Sequence, residues 1–207
     1  MSQSHESELA AGQRGPPDHL IREQIITAAA EHFGHYGYSK TTVSDLAKAI
    51  GFSKAYIYKF FDSKQSIGEE ICSDCVGRIT TAAQAAILNA PTATEKYRRF
   101  FRAIVETGAA QLNNHRRLHE MSVTATLEKW SSIDLLSNAL RDMLREIILF
   151  GRESGEFERK TPLDETCRAI LQVMQPFTNP LMLEANIERV PEAPNEIANL
   201  VLRSLAP

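Results

Sequence analysis

The chain has 207 residues, of which 43% are hydrophobic and 24% charged, with a formal net charge of −3 at pH 7. These proportions are close to those of ordinary globular proteins, so they exclude a wholly disordered chain, and the length suits one domain or two small ones. The small negative charge excludes a globally basic nucleic-acid-binding protein, so any such function has to depend on a local patch.

The sequence gives no sign of export or membrane insertion. Its longest apolar runs are far shorter than the roughly 18 residues of a membrane span, and the first ten residues lack the basic flank and apolar stretch of a signal peptide. Three cysteines are too few for a disulfide scaffold, and an odd number favours a reducing compartment. We therefore expect a cytoplasmic protein that does not contact membranes.

Residues 1–18 are polar and rich in glycine and proline, which predicts a flexible N-terminal arm. From His19 onward apolar residues recur every three or four positions, and no segment alternates as a strand would. The chain is therefore predicted to be all-α with about nine helices. The predicted helices cover 19–36, 42–50, 53–60, 64–88, 93–113, 116–129, 132–153, 162–184 and 194–205.

Several predicted helices begin with a small oxygen-bearing residue that is followed three positions later by an acid or amide, a pairing that satisfies free amides at a helix start. The five pairs are Thr42 with Asp45, Asp62 with Gln65, Thr92 with Glu95, Ser131 with Asp134 and Thr161 with Asp164. Two prolines, Pro176 and Pro180, predict a bend or break in the helix over 162–184.

The segment from Thr41 to Phe61 has the spacing of a helix-turn-helix. A short amphipathic helix is followed by Gly51 at the turn and by a second short helix that Ser53 can cap. This second helix is of a size to enter the DNA major groove. Its predicted exposed side chains are Lys54, Ala55, Tyr56, Tyr58 and Lys59.

The same region is locally basic. Between Tyr36 and Gln65 five lysines face two aspartates, a net charge of +3 in thirty residues. Thr42, Tyr58 and Lys64 carry hydroxyl or ammonium donors near helix N-termini, where phosphate groups bind well. These three residues are candidate contacts to the DNA backbone.

The region closely resembles the N-terminal part of TetR-family transcriptional regulators over about 19–70. The residues that carry the resemblance are FGHYGYSKTTV from Phe33, Leu46-Ala47, IGFSK from Ile50 and IYKFFDSK from Ile57. It implies a three-helix DNA-binding domain, joined through a fourth helix to an all-α effector-binding and dimerisation domain, in a protein that most often represses until a ligand releases it. By position, Thr42, Tyr58 and Lys64 are similar to its phosphate contacts, and Ser53–Lys59 to its recognition helix.

Two departures from the family pattern concern DNA sequence reading. Ala55 replaces a frequent glycine and Tyr56 a usually small residue, so the operator sequence does not follow from the resemblance. Further along, Phe150–Phe157 resembles the common ending of the family's long seventh helix. The predicted organisation is an arm at 1–18, a helix-turn-helix domain at 19–65, and a helical ligand-binding and dimerisation domain at 66–207.

An effector pocket is expected among the predicted helices between 93 and 184, whose apolar faces are too wide for contact with a single neighbour. For each candidate wall residue, ordinary core packing is the alternative interpretation and the one that the residue type favours. The candidates are Phe100, Phe101, Ile104, Gly108, Met121, Trp130, Leu140, Met143 and Phe177, with Glu106, Gln111, Asn113, Gln175 and Asn179 as polar candidates. The apolar helices at 162–184 and 194–205 predict a homodimer interface.

Cys72 and Cys75 form a CxxC pair that suggests a thiol redox pair or half of a metal site, and this keeps a redox sensor or oxidoreductase as the alternative function. No second such pair follows nearby, and the chain lacks a βαβ context, a Gly-x-Ser-x-Gly elbow and a HExxH helix. His115 and His119 are expected at a solvated helix start. We therefore expect that the thiols are buried, that the protein holds no metal or cofactor, and that it is not an enzyme. We expect a regulator whose partners are operator DNA and a small molecule.

Overall fold

The computed structural model describes residues 17–207, and all regular elements within that range are helices. The predicted all-α class is thereby confirmed. The helices are α1 (Asp18–Tyr36), α2 (Val43–Ile50), α3 (Lys54–Ile57), α4 (Lys64–Leu88), α5 (Ala93–Asn114), α6 (Arg116–Glu128), α7 (Ser131–Glu153), α8 (Leu163–Thr178), α9 (Pro180–Asn186) and α10 (Ala193–Ser204), with a 3-10 turn at Ile187–Arg189. Within 17–207 none of them is both long and apolar enough to cross a membrane. Residues 1–16 of the predicted arm lie outside the described residues.

The break predicted in the helix over 162–184 is confirmed at Pro180, where the segment divides into two helices. Asn179 lies between α8 and α9 in an extended conformation, and its side-chain oxygen accepts a hydrogen bond from the Leu181 N–H at 2.9 Å. A residue that precedes a proline is sterically pushed out of the helical region, so Pro180 ends α8 and starts α9. Pro176 lies inside α8 without ending it. The described chain therefore has ten α-helices rather than nine.

The helix predicted over 53–60 is shorter than expected. Helix α3 ends at Ile57, and the chain continues in turns in which the Phe60 N–H donates to the Ile57 carbonyl at 3.0 Å. Ile57 is fully buried, so the short helix is held by its one deeply packed side chain as well as by its own hydrogen bonds.

Two of the five predicted capping pairs are confirmed. Thr42 and Asp45 form a reciprocal capping box at α2, and the Thr92 hydroxyl accepts from the Glu95 N–H at 3.1 Å. The other three pairs do not form caps, although their helices begin within one residue of the predicted positions. Ser63 rather than Asp62 caps α4, and α7 and α8 begin without a side-chain cap. At α7 the Ser131 hydroxyl instead donates to Glu69 of α4, so it links two helices.

The buried apolar side chains form two cores, one at each end of α4. The first core surrounds α1, α2 and α3 and includes Ile25, Phe33, Leu46, Ile57 and Ile67. The second core lies among α5, α7, α8 and α10, and its largest fully buried members are Tyr97, Phe100 and Phe101. Since α4 contributes side chains to both cores, the predicted boundary near residue 65 falls at the start of a shared helix.

Candidate DNA-binding and effector sites

Helices α2 and α3 are joined by a tight turn that depends on Gly51. This residue has φ +79° and ψ 22°, the left-handed conformation that glycine adopts without strain. The Phe52 N–H then donates to the Ala47 carbonyl at 2.8 Å, which closes the end of α2. Ala47 is buried, and its small side chain lets the two helices pack closely. The turn fixes the angle at which α3 projects.

Helix α3 presents a polar outer face. The Ser53 hydroxyl accepts from the Tyr56 N–H at 3.1 Å, and this cap defines the start of the helix. Lys54, Ala55, Tyr58 and Lys59 are exposed, whereas Ile57 between them is fully buried. One side of the helix is therefore anchored in the first core, and the other is available to a partner.

Tyr56 is half-buried rather than exposed, because its ring packs between two other aromatic side chains. Ring centroids lie 5.1 Å from Phe52 and 5.4 Å from Phe60, both in edge-to-face arrangements. The Lys59 ammonium lies 5.4 Å from the Tyr56 ring, and Lys54 lies 5.8 Å from the Tyr58 ring. These contacts hold the two lysines along the exposed face of α3.

Thr42 caps α2 through both of its polar groups. Its backbone N–H and its hydroxyl donate to the Asp45 carboxylate at 2.8 and 2.6 Å, and the hydroxyl accepts from the Asp45 N–H. The hydrogen bond from the Thr42 hydroxyl holds the pKa of Asp45 below its ordinary value. Thr42 lies on the exposed side of the helix-turn-helix, at the N-terminus of α2.

Lys64 is directed into the protein rather than away from it. Its ammonium donates to the carbonyls of Tyr38 and Thr41 at 3.0 and 3.1 Å and lies 4.2 Å from the Tyr38 ring. Burial lowers the pKa of Lys64, and the Glu128 carboxylate opposes this shift. The side chain therefore ties the start of α4 to the connection between α1 and α2, a structural role that its position in the sequence did not reveal.

A cavity of about 50 Å³ lies between α4, α5, α6, α7, α8 and α9. Three of the predicted wall residues, Ile104, Gly108 and Phe177, line it. A neighbouring cleft of about 280 Å³ shares four of its lining residues with the cavity, namely Ile133, Leu136, Thr178 and Pro180. Leu140, Gln175 and Asn179 line this cleft.

The other predicted wall residues lie in the packed cores. Phe100, Phe101 and Met143 belong to the second core, and Met121 and Trp130 belong to the first. The Trp130 ring meets Tyr38 edge-to-face with 5.2 Å between centroids. Met121 and Trp130 therefore connect the α6 region to the helix-turn-helix instead of lining the cavity.

His119 faces the cavity, although a solvated position was expected. The side chain is 3% exposed, whereas His115 is exposed, so the prediction is correct for one histidine and wrong for the other. His115 lies at the junction of α5 and α6 with non-helical φ and ψ, so the two rings do not share one helix face. Sequence reasoning also missed Cys72, Cys75, Ser122 and Leu183 as lining residues.

The three thiols are buried and free. Burial raises the pKa of Cys72 to about 12 and raises the pKa of Cys75 and Cys167 as well. A thiol is a good nucleophile and metal ligand only as its thiolate, so these shifts disfavour redox or metal chemistry at the CxxC pair. Within residues 17–207 no group of three His, Cys, Asp or Glu side chains is placed to hold a metal ion.

Comparison with known proteins matches two separate regions of the chain to known families. Residues 25–71 match the family described as bacterial regulatory proteins, tetR family, and residues 93–198 match the tetracyclin repressor-like C-terminal domain. The uncharacterized HTH-type transcriptional regulator YdgC of Bacillus subtilis is 22% identical over 186 residues, which cover 90% of this chain and 93% of YdgC.

Two further relatives match different parts of the chain. The Staphylococcus aureus negative transcriptional regulator of the biofilm operon icaADBC, IcaR, is 40% identical over 55 residues, 27% of this chain and 30% of IcaR. The crystal structure of FadR from Bacillus subtilis in complex with stearoyl-CoA superimposes with a TM-score of 0.64 at 22% identity, covering 87% of this chain and 97% of FadR. This chain therefore belongs to the TetR family and is a DNA-binding transcriptional regulator rather than an enzyme.

Proposed function

We propose that the protein is a homodimeric repressor that a small-molecule effector releases from a near-palindromic operator. The observation that carries the proposal is the position of α6. This helix lines the cavity on one side and packs into the core of the helix-turn-helix on the other. His119 and Ser122 of α6 line the cavity, while Met121 and Ala125 of the same helix are fully buried in the first core. A ligand that displaces α6 therefore also displaces the packing behind the helix-turn-helix.

Helix α4 provides a second connection between the cavity and the DNA-binding end. Cys72 lines the cavity and is also a member of the first core, so its side chain contacts both regions. The Glu69 carboxylate accepts from Ser131 at the start of α7, which fixes α4 against the helices around the cleft. A change in the cavity thus reaches α1 and α2 through two helices.

The proposed DNA contacts come from the exposed side of the helix-turn-helix. In the proposal, Ser53–Lys59 enters the major groove, where Tyr56 and Ala55 face base edges and Lys54 and Lys59 supply positive charge. Thr42, Tyr58 and Lys64 contact backbone phosphates, for which the Lys64 ammonium has to leave the Tyr38 and Thr41 carbonyls. Two such helices in a dimer would reach half-sites about 34–36 Å apart.

The proposed dimer interface consists of the outer faces of the last helices. Val173 of α8 is 41% exposed and Leu200 of α10 is 59% exposed, and α8 packs beside α10. Leu181 and Met182 of α9, which packs against α8, are also exposed. A second copy related by a two-fold axis would cover these side chains with its own.

The proposed effector site comprises the cavity and the cleft beside it. Together they reach the lower end of the size range of small-molecule sites, about 300–1,000 Å³. FadR of Bacillus subtilis, which shares the fold, was solved with stearoyl-CoA, so a helical domain of this kind accommodates a small molecule in that protein.

The test is binding of the purified protein to the intergenic DNA upstream of its own gene across a salt series. A repressor of this kind should bind one site with two protein chains, and its affinity should fall steeply as salt rises because phosphate neutralisation releases counterions. Lys59→Ala should weaken binding and reduce the salt slope by about one. Lys160→Ala, a change of an exposed lysine far along the chain, is the matched control and should change neither. Weak binding that is equal on any DNA would refute the proposal.

A further inference from the structure

The cavity has one polar atom that no part of the described chain satisfies. Within residues 17–207 the Nε2 of His119 is buried and has no hydrogen-bond partner. The side chain is 3% exposed and belongs to the cavity wall. A buried polar group without a partner costs folding free energy, and a ligand in the cavity that bonds to Nε2 would remove this cost.

The surroundings of the ring decide which kind of hydrogen bond Nε2 can make. Burial lowers the pKa of His119, opposed by the Glu184 carboxylate and by a hydrogen bond from the ring to the Pro180 carbonyl, so the neutral imidazole is favoured. Since Pro180 is the backbone partner of the ring and Nε2 has no partner, we assign the proton of the neutral ring to Nδ1. A neutral ring protonated on Nδ1 leaves Nε2 as an acceptor, which needs a donor from the ligand.

The other polar side chains of the cavity, Gln111, Ser122 and Thr178, each make at least one hydrogen bond within the protein. The Gln111 amide donates to the Ser122 hydroxyl at 3.3 Å and to the Cys75 sulfur at 3.5 Å. Among the lining residues that the structure describes, none is Asp, Glu, Lys or Arg. A charged ligand group placed beside His119 would therefore be buried without an opposite charge, which disfavours carboxylates and amines at this inner end of the site. Arg141 and Arg168 line only the outer cleft.

We propose that the effector is an uncharged, largely apolar molecule with a hydroxyl group that donates a hydrogen bond to Nε2 of His119. This inference rests on the proposed effector-regulated function and specifies its ligand. The hydroxyl end occupies the inner cavity of about 50 Å³, and the apolar body extends past Ile133 and Leu136 into the cleft of about 280 Å³. Aromatic and aliphatic alcohols have this chemistry.

The experiment compares three probes that share one apolar body. These are 4-butylphenol, which has a donor, 4-butylanisole, which keeps the oxygen but has no donor, and 4-butylbenzoate, which is charged. Calorimetry on the full chain without DNA should show that the phenol binds about tenfold or more tightly than the anisole, and more tightly than the benzoate, which has no donor for Nε2.

Variants at position 119 assign the preference to one atom. His119→Phe keeps a ring but has no acceptor, so it should bind the phenol and the anisole alike. His119→Gln keeps an acceptor of similar reach and should retain part of the preference. His115→Phe changes the exposed histidine at the start of the same helix and should behave as the wild type does. Circular dichroism and DNA binding of each variant report whether it folds.

The outcomes separate this inference from the function on which it rests. No binding of the phenol, equal affinity for phenol and anisole, tightest binding of the benzoate, or a preference that survives in His119→Phe would each overturn the hydroxyl assignment. If site-limited DNA binding persists in those cases, the regulator function stands without it. If the phenol preference is found but the protein binds all DNA equally, the repressor proposal fails and the ligand site remains.

Discussion

Gly68 of α4 allows Trp130, which follows α6, to pack closely against α4. Replacing Gly68 tests this packing contact. An alanine Cβ at this position would lie 2.8 Å from Cη2 and 2.9 Å from Cζ3 of Trp130, and 3.0 Å from Cε2 of Tyr38. Trp130 is 1% exposed and its ring meets Tyr38 edge-to-face, so neither ring can move without disturbing other buried side chains.

Gly77 on the same helix supplies the matched control, because a Cβ there meets nothing within 4 Å. Exchanging a mid-helix glycine for alanine stabilises a helix by about 0.5–1 kcal/mol, a gain common to both positions. At Gly68 the overpacking costs about 1–3 kcal/mol in addition. We therefore expect Gly77→Ala to be more stable than the wild type, and Gly68→Ala to be about 1–3 kcal/mol less stable than Gly77→Ala.

Urea unfolding at one fixed protein concentration measures this difference, because dimer formation makes stability depend on concentration. The m-values should be equal, so that the midpoints report stability alone. Trp130→Phe removes the ring atoms that the new Cβ would meet, so Gly68→Ala should cost less in that background. Equal stability of Gly68→Ala and Gly77→Ala, or an unchanged cost in the Trp130→Phe background, would refute the packing argument.

Three further predictions concern the turn, the recognition helix and the cavity histidine. Gly51→Ala should destabilise the protein by about 1 kcal/mol because alanine is strained at φ +79°, and Gly51→Asn should cost less; equal unfolding midpoints in urea would contradict this. Tyr58→Phe should weaken binding about tenfold on operator and unrelated DNA alike if its hydroxyl holds a phosphate, whereas Tyr56→Phe, which keeps the packed ring, should change which base pairs are preferred; fluorescence anisotropy on operator variants distinguishes the two. Burial lowers the pKa of His119 below its ordinary 6.5, so below about pH 6.5 the unfolded chain takes up a proton more readily than the folded chain does. Below that pH the free energy of unfolding should fall by at most about 1.4 kcal/mol per pH unit, and above it His119 should have no effect. His119→Gln should flatten the dependence of stability on pH between pH 7 and 5. Glu184, Glu120 and Arg116 surround the ring in both proteins, so parallel curves for the variant and the wild type would contradict the assignment of this pH dependence to His119.

The features that followed from sequence are those with local causes. The extent of α4, Lys64–Leu88, coincides with the predicted 64–88 because its apolar positions repeat along one continuous helix. The capping box of Thr42 and Asp45 and the left-handed Gly51 depend on residues within a few positions of one another. The helix-turn-helix could be predicted for the same reason, since its turn and both helices lie within about twenty residues.

The features that sequence did not reveal depend on contacts between distant segments. Trp130 and Met121 are large and apolar, which predicts burial, but only the fold decides that they join the core of α1 and α2. His119 is buried because α9 lies across α6, and nothing near it in the sequence indicates that contact. The Lys64 ammonium likewise finds two carbonyls more than twenty residues earlier in the chain.

The size of the cavity explains how a ligand could change DNA affinity. A ligand shifts an equilibrium only by the difference between its affinities for two arrangements. The inner cavity, about 50 Å³, is smaller than the roughly 150 Å³ that accommodates benzene, so a phenol, whose hydroxyl brings its ring close to His119, favours an arrangement in which the cavity walls are farther apart. Helix α6 forms one wall, and its opposite face is fully buried at Met121 and Ala125. Because close-packed interiors transmit a displacement rather than absorb it, the proposed mechanism predicts that the helix-turn-helix moves with α6. Coupling of about 1–3 kcal/mol, typical of allosteric proteins, would lower operator affinity about 5–150-fold.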